Sequence, residues 1–162
     1  MPMKKLNKPR MSNKMTSFKL QRGMTMLEIL IAVMVLSVGL LGVAGLQTTN
    51  LRNSQSAHQR TMAVLLASGM AERIRANRTL ALAGGFTLAK TCASLSSTSS
   101  IQQLEQKNWI DEVRASLGSV GSTCGEVTYS AGTRTYTVIV YWDDSKALGG
   151  RADMAVRNLV SL

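Results

Sequence analysis

The sequence predicts an α+β protein: a long N-terminal α-helix, membrane-spanning in its first half and amphipathic in its second, packed on a small antiparallel β-sheet in a lollipop layout. Three observations carry this. Ile29 to Leu46 is an eighteen-residue run whose only strongly polar side chain is Ser37. Both prolines, Pro2 and Pro9, precede it, so nothing after residue 23 carries the residue that most sharply breaks helices. Near the other end, residues 133–142 (TRTYTVIVYW) are rich in β-branched and aromatic side chains, as strands are. With 162 residues the chain has room for one small domain and an appendage.

Residues 1–23 form a basic leader. Seven of the nineteen basic residues lie there, and from Met24 onward twelve basic residues face nine acidic ones. The formal charge of +10 is therefore mostly a property of the leader, and a basic leader beside an apolar run is an orientation or export signal before it is a nucleic-acid footprint. Nucleic acid is accordingly not an expected partner.

Residues 24–46 are the spanning segment. At 1.5 Å per residue, Ile29 to Leu46 makes a helix about 27 Å long, close to the roughly 30 Å hydrocarbon thickness of a bilayer. The crowding of lysine and arginine on its N-terminal side places that end in the cytoplasm and the rest of the chain outside it. An ordinary cleaved secretory signal, cut near Gly42, Val43 and Ala44, is the alternative. The run exceeds the usual apolar length of such signals, and Glu28 stands where one should be turning apolar. Gly39, Gly42 and Gly45 are spaced by three rather than the four of a G-x-x-x-G pairing motif, which leaves close packing and local softness both open.

Residues 47–82 continue the helix in amphipathic form. Leu51, His58, Met62, Leu65, Leu66, Met70 and Ile74 follow steps of three, four and seven and predict the inward stripe, with Arg52, Arg60, Arg73, Arg75 and Arg78 on a solvated face. His58 is the chain's single histidine and has no neighbouring nucleophile, so no catalytic role attaches to it. Ala83, Gly84 and Gly85 are expected to end this helix.

Residues 83–162 are the exported α+β region. After a hydroxyl-rich loop at 91–100, Asn108 is expected to cap a short helix with Trp109, Ile110, Val113 and Leu117 on one face and Gly118 at its end. Strands are expected at 126–130, 133–142 and 152–162, the first two joined by a turn at Ala131 and Gly132. Cys92 and Cys124 lack redox or zinc spacing and predict a structural disulfide once exported.

Gly23, Met24, Thr25, Met26, Leu27 and Glu28, set between a basic leader and an apolar helix, resemble the class III signal of type IV prepilins. That resemblance implies a cut between Gly23 and Met24 by a prepilin peptidase, N-methylation of Met24, and Glu28 as the glutamate at the fifth mature position. Residues 37–47 (SVGLLGVAGLQ) and 65–77 (LLASGMAERIRAN) are similar to PilV-type minor pilins. Two departures stand out. The leader is long for the family, with Met11 and Met15 as alternative starts, and Gly45 stands where major pilins tend to carry a proline. A carboxylate at the edge of hydrocarbon needs a partner. By family analogy Glu28 of one subunit meets the new α-amine of a neighbour as helices bundle.

The resemblance implies a structural protein: a minor pilin of a type IV pilus, held in the inner membrane with its C-terminal domain in the periplasm and then taken into the pilus. Its partners would be the prepilin peptidase, other minor pilins, the major pilin, the inner-membrane assembly platform and the lipid bilayer. A minor pseudopilin of a type II secretion system is the nearest alternative, and a DNA-binding pilin, suggested by the arginines and Lys90, a more distant one. No catalytic site, cofactor or metal is expected: G-x-x-x-x-G-K-[ST], G-x-S-x-G and H-E-x-x-H do not occur. Asp143 and Asp144 are expected to face solvent in a turn.

Overall fold

The computed structural model describes residues 23–96, 99–119 and 121–162, so the leader up to residue 22 lies outside the described residues. Contacts divide the chain into two units, the second running Gly42–Leu162. Helix α1 (Met26–Ala76) runs from the first into the second. It is followed by α2 (Arg78–Leu82), β1 (Leu88–Thr91), α3 (Ile101–Leu117), β2 (Cys124–Ser130), β3 (Thr135–Trp142) and β4 (Met154–Ser161). The strands form one antiparallel sheet in the order β1-β2-β3-β4. The α+β fold read from the sequence, a long N-terminal helix and a small antiparallel sheet, is the fold observed.

In α1 the inward stripe mixes alanines with larger side chains. Ala63, Ala67, Met70, Ala71 and Ile74 are buried, Met62 and Leu66 are half-buried, and Leu51 (71 % exposed), Leu65 (59 %) and His58 face out. The expected stripe holds at Met62, Leu66, Met70 and Ile74 and is corrected at Leu51, His58 and Leu65: alanines complete the inward face and let the helix backbone come close to its neighbours. Arg73 also leaves the solvated face assigned to it. Its guanidinium donates to both carboxylate oxygens of Glu112 at 2.7 and 2.9 Å and to the Glu105 backbone carbonyl at 3.3 Å, tying α1 to α3.

The first helix does not run to the glycines. It breaks at Asn77, whose side-chain amide donates to the Arg73 carbonyl at 3.0 Å and so satisfies one of the acceptors that a helix end leaves open. The single turn of α2 is then held at its far end by two tyrosine hydroxyls. Tyr136 donates to the Ala81 carbonyl at 2.7 Å and Tyr129 to that of Leu82 at 3.2 Å.

The α3 helix starts eight residues before the position expected from a cap at Asn108, which lies inside it. Its cap is Ser100, whose hydroxyl accepts from the Gln103 N–H, while the Gln103 side chain accepts from Ser99 N–H and hydroxyl at 2.9 Å each. Trp109, Ile110, Val113 and Leu117 do share the buried face, and Gly118, at φ 102°, ends the helix. Beneath that face Gly125 of β2 leaves room for the Trp109 ring, and the indole N–H donates to the Leu66 carbonyl of α1 at 3.0 Å.

The sheet turns one face to the helices. Residues directly opposite in an antiparallel ladder share a face, so Val127, Val138 and Asn158 form one inward row and Tyr129, Tyr136 and Val160 another. The core joins these rows to Phe86, Trp142 and the buried faces of α1 and α3. Burying each such aliphatic or aromatic side chain contributes about 1.5–3 kcal/mol. Strand β1 was not expected from the sequence. The β2–β3 turn spans 131–134, with the left-handed position at Arg134 (φ 52°).

Candidate functional site

The N-terminal end of α1 is built from three kinds of residue in sequence. Gly23, Met24 and Thr25 are exposed and non-helical, and the helix begins at Met26. Thr25 serves as its cap: the Glu28 N–H reaches the Thr25 hydroxyl at 3.4 Å and the Thr25 carbonyl at 3.0 Å. With Glu28 three positions after Thr25, this is the spacing of a capping box. Glu28 is exposed in the first turn, where the partial positive charge of the helix end favours a carboxylate. Among the described residues it forms no ion pair.

An apolar surface then follows without cover. The most apolar eighteen-residue window of α1 has a mean hydropathy of 2.7 and none of it is buried. Three hydroxyls in or beside it are turned back on the helix: Ser37 donates to the Val33 carbonyl at 2.7 Å, Thr48 to Ala44 at 3.0 Å and Thr49 to Gly45 at 3.1 Å. Such hydroxyls cost a lipid environment little, because their donors are already satisfied.

This arrangement offers three things chemically. The Gly23–Met24 peptide lies outside any helix and is exposed, where a protease can reach it. The amine that cleavage would create has an ordinary pKa of about 7.7–8.0 and would be largely cationic at neutral pH. Glu28 presents an exposed carboxylate in the first turn. The structure thus places Met24 just before the helix and Glu28 in its first turn. Thr25, which organises that turn, is a residue the sequence reading passed over, although the T-x-x-E spacing announces it.

In the second unit Cys92, after β1, and Cys124, at the start of β2, are joined with an S–S distance of 2.07 Å. Asp143 and Asp144 do not both face solvent. Asp144 is buried (8 % exposed) and its carboxylate accepts from the Ser56 hydroxyl of α1 at 2.6 Å. Asp143 is half-buried, and hydrogen bonds from the Ser145 side chain and backbone hold its carboxyl below the usual aspartate range. No group of three potential metal ligands occurs among the described residues.

Exposed, non-helical residues 23–25, a capped acidic first turn and an uncovered apolar helix thus follow one another along the chain. Residues 18–44 match the prokaryotic N-terminal methylation motif, and residues 45–109 match the family described as type IV pilin Tt1218. The two matched segments abut, so that residues 18–109 are similar to a type IV pilin carrying an N-terminal methylation motif. No curated protein and no solved structure matches it. Pilins are structural subunits, and a methylation motif implies processing by a peptidase and assembly with other pilins.

Proposed function

We propose that this chain is a minor pilin of a type IV pilus. It is inserted once in the inner membrane with its N-terminus cytoplasmic and its C-terminal domain periplasmic. Prepilin peptidase cuts between Gly23 and Met24, Met24 is N-methylated, and the mature subunit joins other minor pilins at the assembly platform, in an initiating or tip complex onto which the major pilin is added. The observation that carries the reading is the exposed, non-helical Gly23–Met24 bond followed at once by Glu28 in the first turn of an uncovered apolar helix. Gly45 in place of a helix proline, and the likeness of 65–77 to PilV-type chains, favour a minor over a major subunit.

The membrane-extracted protein should have the mass of a chain starting at Met24 plus one methyl group. Gly23→Leu should leave the leader attached, because a bulky side chain then occupies the position before the cut. A mature terminus near Gly45, or an uncut wild-type chain in cells that contain the peptidase, contradicts the processing claim. Deleting the gene should lower pilus number and leave protein secretion intact; the reverse outcome makes the chain a pseudopilin.

A further inference from the structure

We infer that β4 is a docking edge: it takes an extended acidic strand of another protein, hydrogen-bonded to the backbone of Ala155, Arg157, Leu159 and Ser161, with a carboxylate held opposite Arg157.

The ladder decides which backbone groups are open. The Leu162 N–H donates to the Arg134 carbonyl at 3.2 Å, one step beyond the Thr135–Ser161 pair. In an antiparallel ladder, hydrogen-bonded and non-hydrogen-bonded pairs alternate. Tyr136–Val160, Val138–Asn158, Val140–Val156 and Trp142–Met154 are therefore the bonded pairs. The intervening residues of β4, Ala155, Arg157, Leu159 and Ser161, aim their N–H and C=O groups away from β3, at the edge of the sheet. No hydrogen bond reaches these groups among the described residues.

The two edges of the sheet are built differently. Strand β1 has four residues and shifts register against β2, and a short, irregular edge resists strand addition. Strand β4 keeps one register across eight pairs, with no proline, glycine or bulge to interrupt it. Its inner face is already occupied: Val160 is buried, and the Asn158 amide donates to the Ser68 hydroxyl of α1 at 3.3 Å. The outer face and the edge are what β4 leaves to a partner.

Arg157 selects that partner. It is the single charge of β4, it is exposed, and no carboxylate lies within 4 Å of it among the described residues. Glu126 shares its row across Ile139 but accepts from the Tyr141 hydroxyl at 2.6 Å. Side chains directly opposed on neighbouring strands attract when oppositely charged and repel when alike. A second copy is therefore a poor occupant, because two-fold antiparallel pairing centred on the strand sets Arg157 against its own counterpart. An acidic strand is a good one, and the excess of twelve basic over eight acidic residues in residues 42–162 steers it in. Leu159, 70 % exposed on the same face, gains cover from an apolar neighbour. Main-chain bonds supply the affinity of such strand addition, and the arginine supplies the choice.

Amide exchange followed by NMR on the mature chain in detergent micelles tests this. In the free chain the amides of Ala155, Arg157, Leu159 and Ser161 should exchange many-fold faster than those of Val156, Asn158 and Val160. A blocked eight-residue peptide of alternating valine and threonine with one central glutamate should slow the fast set several-fold, and its lysine counterpart should not. Arg157→Glu should exchange the effects of the two peptides. Leu159→Pro removes one outward N–H while sparing the β3 bonds and should abolish the protection, whereas Leu159→Val should retain it. Failure of the glutamate peptide to slow these amides at millimolar concentration, or equal protection by both peptides, overturns the inference. Slow exchange of the four amides in the free chain overturns it too, and where dilution relieves that protection the edge belongs to a second copy. All of these outcomes leave the processing of the chain at Gly23 untouched.

Discussion

Gly125 shows how a single position fixes the core of the second unit. Its absent side chain is where the Trp109 ring and Ile110 lie: a Cβ there would meet Trp109 Cζ3 at 2.5 Å and Ile110 Cδ1 at 2.6 Å. Neither neighbour can retreat, since both are fully buried and the indole is pinned to Leu66. Gly125→Ala should cost about 1–3 kcal/mol through overpacking, seen as a lower urea midpoint with an unchanged slope. Gly132→Ala, with open space around its Cβ, is the control. Equal midpoints for the two would mean that α3 shifts freely on the sheet. At this scale the motif around Gly23, Met24 and Glu28 was legible, because its order along the chain is what the methylation-motif match reads. The burial of Asp144 was not, because it meets Ser56 only after a long stretch of chain has folded back.

Elements were legible where a pattern stands on one local segment. Strand β3 stood out through its alternation, and the buried face of α3 through Trp109, Ile110, Val113 and Leu117. The start of α3 was missed because its first two turns are polar apart from Ile101 and Leu104, yet the S-x-x-Q spacing of Ser100 and Gln103 marked it. The α1 stripe was legible at Met62, Leu66, Met70 and Ile74 and misread at Leu51, His58 and Leu65, because large side chains attract the pattern while part of the contact needed alanine. Strand β1 has four residues and an irregular register with β2, too little for periodicity to reveal. Such a strand depends on its neighbours, and the Cys92–Cys124 bond ties its exit to the start of β2. Replacing both cysteines by serine should destabilise the unit by about 3–4 kcal/mol on the chain-entropy account. Amide exchange should accelerate most at 88–91 and least at 154–161. Uniform acceleration across the sheet would show that the bond supports the whole fold and not this edge.

For the whole molecule, one helix has to do two incompatible jobs. Until assembly it must stay in lipid, which requires an uncharged surface; during assembly it must find other pilins, which a uniformly apolar surface does poorly. Glu28 is the one charge between Met24 and Leu51, and Thr25 holds the turn in which it sits. If the carboxylate pairs with a neighbouring subunit's new amine, Glu28→Ala should leave insertion intact, since the apolar run is lengthened, and should leave cleavage intact, since the unwound Gly23–Met24 bond is unchanged. Assembly should fail: a processed, membrane-held protein that no longer recovers its partner pilins and no longer restores piliation as the sole copy. Glu28→Asp should be milder because it keeps the charge, though its shorter reach weakens the pair. Thr25→Ala separates the helix turn from the charge, because it removes the cap, which is worth about 0.5–2 kcal/mol, and leaves the carboxylate in place. Pilus counts and partner co-purification across the three variants should therefore rank Thr25→Ala and Glu28→Asp above Glu28→Ala. Full piliation from Glu28→Ala would reduce the glutamate to a tolerated interfacial charge, and a Thr25→Ala defect as deep as that of Glu28→Ala would move the effect from the ion pair to the geometry of the first turn.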